Sequence, residues 1–253
     1  MSTPNFRFKQ FTVWHDKCAM KVGSDGVLLG AWAPISNQPS PITNTPFRVL
    51  DVGTGSGLIA LMLAQRCPTA RIDAIDIDAA AVAQAKENFE QSAFSHQLSA
   101  FCSSLQDWQT NDQRLTTNDQ YDLVVSNPPY FQNSLKNPNE GRKTARHTDT
   151  LSYEELIAHS ARLLKPEGQL ALILPAEAEL EIRSLAKQAG LILTHVTRVY
   201  SKESKPARRV LLSFEVTRSR DHEITPIESS LVLENEKGGR SAAYSELCKE
   251  FYL

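Results

Sequence analysis

Long apolar segments are missing from this sequence. The longest uninterrupted apolar run, residues 58–64, is far shorter than the ~20 residues that a membrane-spanning helix needs. Residues 1–16 contain no apolar stretch of the kind that forms a secretory signal. We therefore expect a cytoplasmic protein with no membrane partner.

Cysteine is also scarce. The four cysteines are Cys18, Cys67, Cys102 and Cys248, and they form no CxxC pair and lie near no histidine cluster. This spacing disfavours a zinc site and a disulfide scaffold. We expect reduced thiols and no bound metal.

Neither sign of charge dominates, since 27 Lys and Arg stand against 29 Asp and Glu. A chain of 253 residues with 41% apolar content can bury the core of one α/β domain with short extensions. The near-neutral total does not exclude a nucleic-acid partner, because local basic patches are what bind phosphates.

From residue 47 onward, short apolar runs alternate with longer helical patterns. The predicted strands are residues 48–52, 70–76, 98–102, 121–126, 169–174, 191–199 and 209–216. The predicted helices are residues 58–65, 79–91, 153–164 and 176–188. This alternation predicts a doubly wound, Rossmann-like α/β fold with a mostly parallel, seven-stranded sheet and an antiparallel last strand.

The two ends of the chain break this rhythm. We therefore predict an N-terminal extension (residues 1–46), a central domain (47–217) and a C-terminal extension (218–253) with one strand-like and one helical run. Phe6, Phe8 and Phe11 in the first extension are expected to be core residues.

A glycine-rich turn, Asp51-Val52-Gly53-Thr54-Gly55-Ser56-Gly57, follows the first predicted strand of the central domain and begins a helix. Glycines let a ligand approach the backbone without a Cβ in the way. The dinucleotide pattern would need a glycine where Leu58 stands, so an NAD-dependent oxidoreductase is disfavoured. Asp51 suits a ligand with an ammonium group better than a pyrophosphate, which a carboxylate would repel.

Two aspartates lie at the end of the next predicted strand, Asp76 as its last residue and Asp78 two residues later. Asp76 lies where an acid can accept hydrogen bonds from both ribose hydroxyls of an adenosine, although it could instead cap the following helix. For Asp78, directly before an alanine run, we favour the role of helix cap.

The most informative stretch is Asn127-Pro128-Pro129-Tyr130, directly after a predicted strand. Two prolines end the strand and stiffen the exit, which fixes Asn127 and the Pro128 carbonyl at the carboxyl end of the sheet. An amide oxygen and a carbonyl can together accept both hydrogens of an exocyclic amine. Tyr130 offers a ring on which a planar base can stack. The alternative is a strand-ending turn with a core tyrosine.

These two motifs resemble those of class I S-adenosylmethionine-dependent methyltransferases that act on amino groups. Residues 11–33, FTVWHDKCAMKVGSDGVLLGAWA, and residues 244–253 are similar to the bacterial tRNA1(Val) adenine-N6 methyltransferases. The resemblance implies a class I methyltransferase fold and S-adenosyl-L-methionine as cofactor. It implies a tRNA substrate methylated on the N6 of an adenine next to the anticodon of a valine tRNA.

The resemblance also implies roles for individual residues. Asn127, Pro128 and Tyr130 would hold the target base, and the N-terminal extension would close the cofactor site. The implied cofactor-binding residues are Lys21, Ser24, Asp25, Asp51, Gly53, Gly55, Gly57, Asp76, Ser104 and Asn127. Ser104 stands where the family commonly has an acid for the cofactor's adenine, and Asp107 could supply that acid instead.

Two basic stretches are candidates for RNA contacts. The first, residues 136–147, contains Arg142, Lys143 and Arg146, and the second, residues 198–218, contains Lys202, Lys205, Arg208 and Arg209. A base inside a structured loop would have to be splayed out to reach Asn127.

Three further functions remain open at this point. Methylation of a ribosomal RNA adenine would use the same motifs. Methylation of a glutamine side-chain amide (N5) in a protein would too, but those enzymes usually have a longer helical domain before the glycine turn. A non-catalytic RNA-binding module is disfavoured, because the motif residues are intact.

Overall fold

The computed structural model describes residues 4–18, 21–35, 46–110, 120–129, 151–217 and 224–253. Its strands are β1 Asn5–Arg7, β2 Thr12–Trp14, β3 Arg48–Val52, β4 Arg71–Asp76, β5 Leu98–Cys102, β6 Tyr121–Ser126, β7 Leu164–Pro175, β8 Leu191–Tyr200, β9 Ala207–Val216 and β10 Ile227–Val232. Its α-helices are α1 Ser24–Trp32, α2 Leu58–Arg66, α3 Ala79–Glu90, α4 Leu105–Thr110, α5 Tyr153–Leu163, α6 Glu179–Gln188 and α7 Ala242–Leu247. Within those ranges, no helix combines the length and apolarity needed to cross a membrane.

The central sheet has eight strands in the order β10-β8-β9-β7-β6-β3-β4-β5. Strand β9 is antiparallel to both of its neighbours, and the other neighbouring pairs are parallel. The doubly wound α/β prediction is therefore confirmed, and so is the antiparallel direction of the last predicted strand, residues 209–216, which corresponds to β9. The predicted count of seven strands was wrong, because β10 pairs in parallel with β8 and covers an edge that would otherwise be exposed.

Two apolar cores lie on opposite faces of the sheet. One contains side chains of α1, α2 and α3, such as Val27, Leu61 and Phe89. The other contains side chains of α4, α5 and α6 and includes Leu156 and Ile182. Strand residues contribute to the two cores in alternation, as the two-residue period of a strand covered on both faces requires.

The segments before β3 and after β10 pack on the sheet and its helices. Helix α1 lies close against α2, since a Cβ on Gly30 would come within 2.7 Å of the Met62 sulfur. The hairpin β1–β2 meets the end of the chain, where the Lys9 N–H donates to the Phe251 carbonyl at 2.8 Å. Phe8 is buried as predicted, whereas Phe6 is 37% exposed.

Candidate active site

The carboxyl ends of three neighbouring strands meet at one edge of the sheet. Val52 of β3 is opposite both Ile75 of β4 and Ser126 of β6. The Ser126 hydroxyl donates to the Val52 carbonyl at 2.8 Å, which ties β6 to β3 directly before Asn127. This register brings the glycine turn, the acidic residues after β4 and the Asn-Pro-Pro segment together.

Left-handed glycines shape the turn after β3. Gly53, Gly55 and Gly57 have φ values of +71°, +55° and +81°. Residues other than glycine rarely adopt this left-handed backbone region. A Cβ added to Gly53 or Gly55 would meet no atom within 4 Å, so the backbone there borders open space. A Cβ on Gly57 would overlap the Phe89 ring, so this glycine serves the packing of α2 on α3.

Asp51 lies beneath the turn rather than at its surface. Its side chain is fully buried, one carboxylate oxygen accepts from the Thr54 hydroxyl at 2.6 Å, and the other has no hydrogen-bond partner. Burial raises the pKa of Asp51 to about 7, and the Thr54 hydrogen bond opposes that effect. A cationic ligand group above the turn would offset the cost of ionising this carboxylate.

The two aspartates at the carboxyl end of β4 have separate roles. Asp76 accepts from the Gly55 N–H at 2.9 Å and from the Asp78 N–H at 3.0 Å, so its carboxylate is fixed beside the glycine turn. Asp78 is the N-cap of α3 and accepts from the Ala80 N–H at 2.8 Å, which confirms the predicted cap.

Ser104 and Asp107 lie together at the start of α4. The Ser104 hydroxyl donates to the Asp107 carboxylate at 2.7 Å and accepts from the Asp107 N–H at 3.0 Å. The single hydrogen of the Ser104 hydroxyl and one of its two acceptor lone pairs are thus used within this pair.

A cavity of about 1120 Å³ opens at this edge of the sheet. Small-molecule pockets are typically about 300–1,000 Å³, so there is space for a cofactor and part of a second molecule. The predicted site residues that line it are Lys21, Ser24, Asp25, Gly53, Gly55, Asp76, Ser104, Asn127 and Pro128. Asp51 and Gly57 do not line it, because Asp51 is buried below the turn and Gly57 packs on α3.

Comparison with known proteins identifies the family. A model of the methyltransferase small domain matches residues 40–194. Proteins named tRNA1(Val) (adenine(37)-N6)-methyltransferase are similar over the whole chain. The one from Parabacteroides distasonis is 46% identical over 100% of this chain and 99% of its own length, and the one from Pectobacterium carotovorum is 40% identical over 98% and 93%. The chain belongs to the tRNA1(Val) (adenine-N6)-methyltransferase family.

Solved structures agree with this family on the fold. A predicted O-methyltransferase from Agrobacterium tumefaciens superposes with a TM-score of 0.65 over 89% of this chain and 96% of its own, at 16% identity. At that identity the likeness concerns the fold alone, which is a class I, Rossmann-like methyltransferase fold.

The predicted RNA-binding residues that the structure describes do not line the cavity. Lys202, Lys205 and Arg208 are exposed around the turn between β8 and β9. Arg209 is only partly exposed and its guanidinium pairs with Asp25 at 2.8 Å. Tyr130, Arg142, Lys143 and Arg146 lie outside the described residues.

Two features of the site escaped the sequence prediction. Ile77 lies between the two aspartates, is 62% exposed and lines the cavity. An apolar residue flanked by acids was the available signal, and an exposed apolar side chain in a cavity suits a planar ring. The pairing of Asp25 with Arg209 joins residues 184 positions apart, and no local pattern indicates it.

Proposed function

We propose that this chain transfers the methyl group of S-adenosylmethionine to the N6 of an adenine next to the anticodon of a valine tRNA. One observation supports the proposal above the others. Asn127 and Pro128 line the same cavity as the glycine turn, from the carboxyl end of the neighbouring strand. An amine acceptor and a methyl donor bound on these two walls would face each other.

The cavity fits S-adenosylmethionine in charge and in shape. Gly53 and Gly55 leave space for a ligand against the backbone, and Asp51 below them has a buried oxygen with no hydrogen-bond partner. The cofactor's ammonium and sulfonium cations would be attracted by this carboxylate and by Asp76. Lys21 on the same wall would pair with the cofactor's carboxylate.

The adenosine half of the cofactor would lie between β4 and α4. Asp76 would accept from the ribose hydroxyls, and Ile77 would contact the adenine ring. Asp107 lines the cavity beside Ser104, and we assign the adenine amine to its carboxylate. A carboxylate is a stronger acceptor than a hydroxyl, so this assignment replaces the acid that the family commonly has at the Ser104 position.

S-adenosylmethionine, when bound, supplies an electrophilic methyl group. Asn127 and the Pro128 carbonyl would accept the two hydrogens of the target amine, which draws the nitrogen lone pair out of conjugation and fixes its direction. Pro128 is buried, so its backbone has little freedom to move away from that position. The amine would release its extra proton to water after transfer.

The tRNA would approach along the β8–β9 turn. The carboxyl end of β8 and the start of the antiparallel β9 lie at the same edge of the sheet as the cavity. Lys202, Lys205 and Arg208 are exposed there, although Lys202 also forms an ion pair with Glu234 at 3.5 Å. Exposed cations beside the cavity suit phosphate contacts.

The first experiment combines purified protein, radiolabelled S-adenosylmethionine and total RNA from a strain that lacks the gene. We expect label in the tRNA fraction, recovered after digestion as N6-methyladenosine, and incorporation at least about 10²-fold slower with Asn127→Ala. Label confined to ribosomal RNA would retain the chemistry and overturn the tRNA substrate. Label in protein, with none in RNA, would replace the proposal by glutamine methylation.

A further inference from the structure

At the rim of the cavity, an ion pair joins α1 to strand β9 of the central sheet. Asp25 is the second residue of α1 and lines the cavity. The Arg209 Nε donates to its Oδ2 at 2.8 Å, and Arg209 Nη1 donates to the Arg208 carbonyl at 3.0 Å. The two side chains are 20% and 26% exposed, so the pair is screened less by solvent than a surface pair.

The environment of Arg209 differs from that of the neighbouring cations. Lys205 and Arg208 are exposed, whereas Arg209 turns inward and has its charge balanced by Asp25. A balanced and partly buried guanidinium offers little net charge to an RNA phosphate. Asp25 is therefore the partner of Arg209 in this structure, and the prediction that Arg209 contacts RNA phosphates is left to the test below.

Helix α1 is fixed on one side by α2. A Cβ on Gly26 would approach the Leu58 side chain to 3.0 Å, so the two helices are in close contact near their first turns. The ion pair with Arg209 fixes the same end of α1 against β9. Arg209 lies opposite Pro175, at the carboxyl end of β7. Residues 21–26, which line the cavity, are thus held between two parts of the central domain.

We propose that Arg209 is a positioning residue that holds Asp25, and with it residues 21–26, in place as one wall of the cofactor cavity. This inference rests on the function proposed above. Without Arg209, the partly buried carboxylate of Asp25 loses a positive partner. Residues 21–26 also lose their attachment to β9. The cavity wall then loses its fixed geometry, and the cofactor is held less tightly.

The test compares Arg209→Gln with Arg208→Gln, a matched change one residue away. Calorimetry measures the Kd of S-adenosylmethionine, filter binding measures the Kd of tRNA, and thermal unfolding identifies variants that fail to fold. We expect Arg209→Gln to raise the cofactor Kd about tenfold and to leave the tRNA Kd within twofold. Arg208→Gln should show the opposite pattern.

Two further variants keep the test informative if Arg209→Gln folds poorly. Arg209→Lys retains the charge and should recover part of the cofactor affinity. The double variant Asp25→Asn with Arg209→Gln should bind the cofactor no more weakly than the weaker of its two single variants, because the two residues act through one contact.

The outcomes separate this inference from the proposed function. If Arg209→Gln weakens tRNA binding as Arg208→Gln does and leaves the cofactor Kd unchanged, Arg209 is an RNA contact and the inference is overturned. Independent, additive effects of the Asp25 and Arg209 variants would overturn it as well. If the wild-type protein itself does not bind S-adenosylmethionine, the proposed function fails, and the inference fails with it.

Discussion

Asn127 is the residue on which the proposed chemistry depends most directly. Because its amide oxygen would accept from the target amine, Asn127→Ala should lower kcat by about 10²-fold or more, as loss of a positioned hydrogen-bonding group typically does. The S-adenosylmethionine Kd should stay within a few-fold, because Asp76 and the glycine turn remain. Single-turnover kinetics and calorimetry measure the two quantities separately. Full activity in this variant would show that the Asn-Pro-Pro assignment is wrong.

The buried carboxylate of Asp51 predicts a pH dependence of stability. Its pKa is raised to about 7 in the folded protein, from the ordinary aspartate value of about 3.8. The folded state therefore binds more protons than the unfolded state between these values, so this group's contribution to the unfolding free energy falls as pH rises through that window. Asp51→Asn should remove this loss. In the absence of cofactor, the Tm of Asp51→Asn minus the Tm of the wild type should therefore increase from pH 5 to pH 8.

Scanning calorimetry across that pH range provides the measurement. Asp78→Asn is the control, since it makes the same chemical change at the exposed cap of α3. A Tm difference between Asp51→Asn and wild type that does not grow with pH would contradict the assigned pKa. Asp51 lies near the end of one strand and Asp78 shortly after the next, and only the fold shows which of the two is buried.

At the scale of elements, the turn into α2 requires glycine for two reasons. Gly57 has a left-handed φ of +81°, and a Cβ there would overlap Phe89 of α3. Gly190, with φ +79°, has no atom within 4 Å of an added Cβ. Gly190→Ala should therefore cost about 1–2 kcal/mol of unfolding free energy, from backbone strain alone. Gly57→Ala should cost about 2–5 kcal/mol, because overpacking adds to that strain.

Denaturant titration of both variants measures these costs as changes in midpoint at constant slope. Equal losses would mean that α3 moves away from the turn without resistance. The comparison is matched, since the two glycines share the same backbone region and differ in what surrounds them.

The bounds of the elements were predictable where the pattern is local. Strand β5 has its predicted bounds, and α2 begins at Leu58 as predicted. Strand β7 begins at Leu164, five residues before its predicted start, because Leu164 pairs with Tyr121 of β6. The pairing is irregular after this point, and Glu167 there has a left-handed φ of +66°. A polar Lys-Pro-Glu-Gly segment gives no strand pattern, so only pairing with β6 reveals it.

At the scale of the whole molecule, the two ends of the chain stabilise each other. Phe251 is 2% exposed within the core shared by α1, α2 and α3, and its carbonyl accepts from the Lys9 N–H. Phe251→Ala should cost about 3–5 kcal/mol of unfolding free energy. Leu253→Ala, at a side chain that is 79% exposed, should change it by less than about 0.5 kcal/mol.

Thermal unfolding and hydrogen exchange test this connection together. We expect the Lys9 amide to exchange faster in Phe251→Ala than in Leu253→Ala, because its acceptor is released when the end of the chain loosens. If the Lys9 amide keeps its protection while global stability falls, the two ends are not coupled as described.

The fold class and the two motifs could be read from local patterns, because strands, glycine turns and the Asn-Pro-Pro segment are made of neighbouring residues, and the family followed from the resemblance of those motifs. Which of these residues meet depends on the three-dimensional fold. It buried Asp51 below the turn, paired Arg209 with Asp25 across 184 positions and added β10 to the sheet. Each of these features depends on contacts between segments that are far apart in the sequence. The free energy of such contacts comes from packing and charge in the folded chain, so local sequence patterns do not predict them.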